Sequence, residues 1–268
     1  MDYHTGLDVE AYQQAWKLAS IRYPILRTAF DWDDQVLQVI SSEASLGKSK
    51  FTVVDISDVP EGERDARIVE LQRADRRVGF DLTQPGLMRF TLIRHSDELW
   101  TVLRSEHHSI ADGWSGPLLM QTVHGYYQQL RAGESPVVEP QQSYLNAMRY
   151  YADQKPVIEA YWSQAKQNYG PTNDINALLS QRIDLSQSSL IDEPSEQVLT
   201  VSEDTHASIK RMCQRQGVTL NVALQFAWHK LLHTYTGDDQ TIVGATVSGR
   251  DIPVDGIESS VGLSLIHI

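Results

Sequence analysis

One continuous stretch, residues 87–130, narrows the possible folds more than any other part of the chain. The apolar runs Leu87-Met88-Arg89-Phe90-Thr91-Leu92-Ile93-Arg94 and Leu99-Trp100-Thr101-Val102-Leu103 flank the polar turn Ser96-Asp97-Glu98, the pattern of an antiparallel strand pair. Directly after the second run comes Glu106-His107-His108-Ser109-Ile110-Ala111-Asp112-Gly113-Trp114-Ser115. A helix pattern follows: Ser115 fits an N-cap, Pro117 fits a first turn, and Leu118, Leu119, Thr122, Val123, Tyr126 and Leu130 keep helical spacing. The spacing therefore sets a histidine at a strand's end beside a helix N-terminus. Such a position leaves a ring nitrogen free, which suits acyl-transfer chemistry.

The order H-H-x-x-x-D-G-W-S resembles the active-site motif of condensation domains of nonribosomal peptide synthetases. H-x-x-x-D-G alone is shared across the chloramphenicol acetyltransferase-like superfamily and speaks for fold and acyl transfer, not substrate. Further segments are similar to the narrower family. Arg22-Tyr23-Pro24-Ile25-Leu26-Arg27-Thr28-Ala29-Phe30 resembles R-H-E-x-L-R-T-x-F, with Tyr23 and Pro24 in place of His-Glu. Phe80-Asp81-Leu82, Pro85 and Leu87-Met88-Arg89 resemble F-D-L…P-L-x-R, and Ala160-Tyr161-Trp162 resembles A-x-Y-W. Thr219-Leu220-Asn221, Gln225-Phe226-Ala227-Trp228 and Val243-Gly244-Ala245-Thr246-Val247-Ser248-Gly249-Arg250 resemble the family's second lobe. The resemblance implies an α/β, two-lobed chloramphenicol acetyltransferase-like fold, here with the second lobe incomplete. The S-x-A-Q-x-R segment of the family has no match, and Val261-Gly262-Leu263 opens a V-G-x-F-V-N-T motif that the last five residues do not continue. The expectation is a fragment, catalytically silent by itself and prone to self-association along an unpaired strand edge.

Composition limits the other classes. Among 268 residues, 41% are hydrophobic and 22% charged, ordinary for a globular protein, and the length supports one large or two ordinary domains. A formal net charge of -12 argues against a nucleic-acid partner. The one basic cluster, Arg73, Arg76 and Arg77, has acidic neighbours and reads as a solvated helix face rather than a phosphate contact. No apolar run approaches membrane-spanning length, so no membrane partner is expected. Cys213 is the single cysteine; with no intrachain disulfide possible and no leader pattern, the chain reads as cytoplasmic.

Along the chain, residues 8–21 read as a helix capped by Asp8, with Val9, Tyr12, Trp16 and Ala19 on one face. Pro24 ends it before an extended run to Phe30. Residues 36–40 and 51–54 alternate as strands, and 60–78 form a charged helix with Ile68, Leu71 and Val78 as its apolar line. Helices over 141–152 and 157–169 complete a first lobe, 1–169. Residues 170–195, rich in Ser, Asn and Asp, read as a linker, and 196–268 as a partial second lobe. There, 196–201 reads as a strand, Ser202 and Thr219 cap helices to Arg215 and Tyr235, and 241–247 reads as a buried strand.

A His-His pair has no fixed role on its own. Alternation at a strand's end turns one ring towards the core and the other towards a cleft, and the resemblance assigns the catalytic role to His108, with His107 as a packed neighbour. The implied reaction joins the amine of an aminoacyl thioester to a second acyl thioester. No cofactor is bound directly; both groups ride on phosphopantetheine arms of upstream and downstream peptidyl carrier domains, with an adenylation domain adjacent. Imidazole titrates near neutral pH, so His108 can accept the amine proton or orient the amine by a hydrogen bond. Backbone N–H groups across Gly113, Trp114 and Ser115 are candidates for polarising the donor carbonyl, and Gly113 leaves room for the arm. Asp112 resembles a triad acid, yet the family implies a salt bridge to an arginine of R-x-x-x-L-R-T, with Arg22 and Arg27 as candidates. A desolvated carboxylate needs a cationic partner, which favours that structural role.

Other candidates carry less. His229 and His233 have helical i, i+4 spacing, but no third ligand accompanies them, so no metal is expected. Ser248-Gly249-Arg250 lacks the G-x-S-x-G context of a nucleophile turn, leaving Ser248 as a channel-wall candidate. An epimerization domain or a CoA-dependent acyltransferase is the alternative of the same superfamily; Trp114 after D-G tells against the first. Heterocyclization domains replace the histidine motif with aspartates and are set aside. A non-catalytic carrier-docking module or inert fragment is the alternative of another class.

Overall fold

The computed structural model describes residues 1–34, 37–47, 50–170, 173–182, 184, 196–263 and 266–267. They fall into two units, residues 1–156 with 246–267, and residues 157–245. These units cut across the lobes expected from sequence. The division lies at Pro156, and the segment after Ala245 joins the first unit because it carries buried partners of the histidine loop.

The first unit is built on a four-stranded sheet of order β1-β6-β5-β4. Its strands are β1 (Asp2–Tyr3), β4 (Phe51–Asp55), β5 (Met88–Arg94) and β6 (Trp100–Glu106). The strand pair read from the alternating runs is β5 and β6, antiparallel with Met88 opposite Glu106 and Arg94 opposite Trp100. β4 runs parallel to β5. That pairing requires a crossover, supplied by α2 (Glu61–Arg77). β2 (Thr28–Asp31) and β3 (Leu37–Ile40) form a separate antiparallel ribbon. The expected strand over 36–40 matches β3 from Leu37 on; Val36 lies outside the described residues.

Two helices cover one sheet face. α1 (Val9–Arg22) starts where the Asp8 carboxylate accepts the Ala11 N–H. It buries Tyr12, Ala15, Trp16 and Ala19, the stripe its 3.6-residue spacing demands. Trp16 meets Phe90 at 4.4 Å between ring centroids, and Phe90 stacks on Phe51 at 4.4 Å. α3 (Ser115–Arg131) adds Leu119, Val123, Tyr126 and Tyr127. Pro24–Arg27 forms a 3-10 turn before β2, rather than extended chain throughout. In α2 nothing is fully buried; Ile68 and Leu71 are half-buried, while Val78 lies past the helix end and is 60% exposed.

Several expected boundaries shift. The helices expected over 141–152 and 157–169 are one helix, α4 (Ser143–Ala165), with Pro156 inside. Proline removes one helix donor, but good helix formers on either side carry the remaining bonds. Residues 196–201 make no ladder, and Val198 and Leu199 are exposed; strand-forming side chains without a partner strand do not fix a strand. Of the expected 241–247 strand only β7 (Thr246–Val247) pairs, antiparallel to β8 (Ile266–His267). It is exposed rather than buried.

The second unit contains α5 (Glu203–Gln216) and α6 (Leu220–Thr236). Both begin at the expected caps: Ser202 Oγ accepts the Thr205 N–H and Thr219 Oγ1 accepts the Val222 N–H. Cys213 is buried with a free thiol. Within the expected linker, Ile175–Leu178 forms a 3-10 turn, whereas 171–172, 183 and 185–195 lie outside the described residues. No helix among the described residues is long and apolar enough to cross a membrane.

Candidate active site

β6 delivers the two histidines. Its ladder to β5 continues one residue past Glu106, where the His107 N–H donates to Leu87 O at 3.0 Å. The His107 ring is half-buried, edge-on to Phe80 with centroids 6.1 Å apart. Its Nδ1 accepts the Ser109 N–H at 3.2 Å, with Ser109 Oγ at 2.8 Å, so the neutral ring carries its proton on Nε2. His107 is thus fixed by its neighbours. The next residue differs: the chain turns after His107, and His108 is exposed, with no hydrogen bond or ion pair to another described residue. Both of its ring nitrogens remain open to a ligand.

The turn that carries His108 is held by Asp112. The Ile110 N–H donates to His107 O at 3.2 Å, and Ile110 and Ala111 are buried. Asp112 Oδ1 accepts the Ser115 N–H at 2.9 Å and the Ser115 hydroxyl at 2.7 Å. Ser115 is therefore not the helix cap expected from sequence. It is the first residue of α3, and Asp112 supplies the oxygen that the N-terminus requires. The Ser115 N–H, one of the expected oxyanion donors, is thus already engaged. Gly113 and Trp114, both exposed just ahead of α3, have N–H groups that make no hydrogen bond among the described residues. A Cβ built on Gly113 meets nothing within 4 Å, so the space beside it is open.

The cationic partner of Asp112 is Arg250. Its Nη1 lies 3.0 Å from Asp112 Oδ2 and its Nη2 3.2 Å from Oδ1, a two-point pairing. The Arg250 side chain is 4% exposed and that of Asp112 0%. Arg250 Nη1 also donates to Ser248 O at 3.2 Å, and Nη2 lies within reach of Ser260 O and Gly262 O. Ser115 Oγ completes the cluster by accepting the Gly262 N–H at 3.0 Å. Four separate segments converge here: the histidine loop, the start of α3, Ser248–Arg250 and Ser260–Gly262.

This corrects the expected pairing with Arg22 or Arg27. Arg22 lies over the Tyr23 ring and donates to Glu139 O. Arg27 donates to Ser20 O at 2.9 Å and to Ser41 O. Arg22 is held by the Glu139 carbonyl and Arg27 by those of Ser20 and Ser41, which fixes each head group there. The sequence did contain a signal for Arg250: it is the sole arginine after Arg215, next to a glycine in an otherwise uncharged run. Ser248 is half-buried and its Oγ accepts the Arg250 N–H at 3.3 Å, so it shapes the turn that presents the guanidinium. In the second unit, His229 Nδ1 meets Thr241 Oγ1 at 2.7 Å and His233 Nδ1 meets Asp238 O at 2.7 Å. Those contacts are local ties at the end of α6.

Comparison with known proteins follows the same motif. A family model described as the condensation domain matches residues 1–265. N-(5-amino-5-carboxypentanoyl)-L-cysteinyl-D-valine synthase of Amycolatopsis lactamdurans is 35% identical over 266 residues, which is 97% of this chain and 7% of that protein. Bacitracin synthase 1 of Bacillus licheniformis is 29% identical over 252 residues, 92% of this chain and 5% of that protein. Among solved structures, the complex of the X-domain and OxyB from teicoplanin biosynthesis matches with a TM-score of 0.76 at 22% identity, covering 100% of this chain and 57% of that one. The chain thus spans a small part of these curated relatives and under two thirds of that solved neighbour. The fold is the two-lobed, chloramphenicol acetyltransferase-like one. On the family match and the identity along nearly its whole length, the chain belongs to the condensation domain family of nonribosomal peptide synthetases.

Proposed function

We propose that this chain carries the histidine centre of an enzyme that forms an amide bond between two carrier-bound acyl groups. The observation that carries the reading is the contrast within one loop: His108 is exposed and unengaged, while Asp112 is buried and committed to Arg250. In the proposed step, the amine of an acceptor aminoacyl thioester attacks the carbonyl of a donor acyl thioester. The N–C bond forms, the C–S bond breaks, and the donor arm leaves as a thiol. A proton must move from the amine towards the sulfur, and His108 is placed to accept it or to hold the amine in line. The Gly113 and Trp114 N–H groups, at the positive end of α3, are the donors for the carbonyl oxygen as charge develops on it. The two thioesters arrive on phosphopantetheine arms of peptidyl carrier domains upstream and downstream, and an adenylation domain loads the acceptor carrier. His107 and Asp112 act by position alone, the first bonded to Ser109, the second to Arg250.

The assay uses the synthetase that carries this sequence, with donor and acceptor carriers loaded in solvent D2O. Intact mass of the acceptor carrier should show the added acyl group joined through an amide. Deuterium at the donor α-carbon without a new amide would assign epimerization instead. Transfer from acyl-CoA but not from a loaded carrier would assign the CoA-dependent alternative.

A further inference from the structure

A cavity of about 440 Å³ lies in the first unit between β4, β5 and the loop over residues 79–86. It borders the histidine motif through Phe80, whose ring lies under the Arg89 guanidinium at 4.3 Å and also meets the His107 ring edge-on. The charges around it are unevenly satisfied. Arg89 is bound to the Asp75 carboxylate and to the carbonyls of Asp75, Val78 and Gly79. Asp75 is further occupied by Ser105, and Asp81 by the N–H and hydroxyl of Thr83. Lys50 is the exception: half-buried in the cavity wall, it has no hydrogen bond or ion pair with another described residue.

The position of Lys50 is built rather than incidental. Its Cε lies where a Cβ on Gly86 would be, 2.9 Å away, and the Ser45 carbonyl closes the same space at 2.8 Å. Gly86 holds a φ of +78°, a conformation that side-chain-bearing residues rarely adopt, so glycine there satisfies both the backbone and the lysine stem. Burial, with the like charge of Arg89 behind it, holds the Lys50 ammonium below its ordinary range. Both effects are relieved by an anion. Beside it, Thr52 and Thr91 face each other in the parallel register of β4 and β5, with neither hydroxyl engaged among the described residues.

We propose that this cavity is a carboxylate subsite, in which Lys50, with the Thr52 and Thr91 hydroxyls, binds the acidic side chain of an acyl group presented to His108. The ligand class follows from the uncommitted donors: with Arg89 and Asp75 bound to each other and Asp81 bound by Thr83, Lys50 and the two hydroxyls remain and suit a carboxylate, and the cavity is of the size that holds a small organic acid. The link to His108 rests on the amide-forming reading, whereas binding of the carboxylate does not. Selection among substrates would then come from Lys50, which a neutral side chain leaves half-buried and uncompensated.

Calorimetric titration of the chain with glutarate, and with neutral glutaramide as control, separates these two levels. Glutarate should bind saturably and glutaramide should not. Lys50→Met should weaken glutarate binding about tenfold, the effect of losing one charge-assisted hydrogen bond, and Lys50→Arg should retain it. His108→Ala should bind glutarate as the parent does, so the subsite stands or falls apart from the catalytic assignment. Equal affinity in the parent and Lys50→Met, or no saturable binding in the parent, would overturn the proposal. Binding lost in His108→Ala but kept in Lys50→Met would overturn it as well, placing the carboxylate at the histidine.

Discussion

Asp112 and Arg250 stand 138 positions apart, yet each brings a charge into a site closed to solvent. Such a pair survives only when the geometry satisfies both partners; removing one leaves the other charged and buried. Asp112→Asn should therefore lower unfolding free energy by roughly 3–5 kcal/mol, read from the urea midpoint. Arg250→Met should do the same, and the double variant should lose less than the sum of the two, because no lone charge remains. An unchanged midpoint in Asp112→Asn together with lost activity would instead give the carboxylate a direct role in catalysis. At this scale the sequence was half legible. A carboxylate between a buried loop and a helix start has to find a cation, and that much follows from desolvation. Which arginine answers it depends on chain separated by more than a hundred residues, where local pattern has no reach. Arg22 and Arg27 were plausible by motif alone, but each is claimed by backbone carbonyls.

Helices and strands with a strong period were read correctly, including the β5–β6 pair, whereas two apolar runs of the second half, 196–201 and 241–245, were not strands. α1, α3, α5 and α6 follow from apolar spacing and, except in α3, from a named cap, both of which are local properties. The failures over 196–201 and 241–245 share one cause: a strand is defined by its ladder, and Val-rich composition does not supply one. At the start of α3 the error was a single position, because Asp112 reaches the Ser115 N–H from outside the helix pattern. Gly262 joins two elements at this point. Its N–H reaches Ser115 of α3, and a Cβ on it would come within 2.2 Å of the Tyr144 ring of α4. Gly262→Ala should thus force Tyr144 aside and destabilise the chain by about 1–3 kcal/mol, with faster amide exchange at the first turns of α3 and α4. Parent-like exchange in both turns would show that the contact yields without cost.

On the scale of the whole molecule, the fold class was legible because its evidence is spread along the chain, from Arg22 to Arg250, rather than concentrated in one motif. The division into units was less so, since the segment after Ala245 belongs to the first unit through contacts such as Arg250 to Asp112 and Ser115 to Gly262, which no composition change announces. In the second unit α6 buries Leu232 but leaves Leu224, Phe226, Trp228 and Tyr235 exposed. What connects all scales is the division of labour proposed for the histidine loop: His108, exposed, for the chemistry, and the buried Asp112–Arg250 pair for holding the turn. The most direct test is His108→Ala in the synthetase that carries this sequence, with carrier loading, urea midpoint and dipeptidyl-carrier formation measured together by intact mass and denaturation. Loading and midpoint should match the parent while dipeptidyl-carrier formation is abolished. Formation at the parent rate would contradict the assignment of His108 and, with it, the account of why the loop is built as it is.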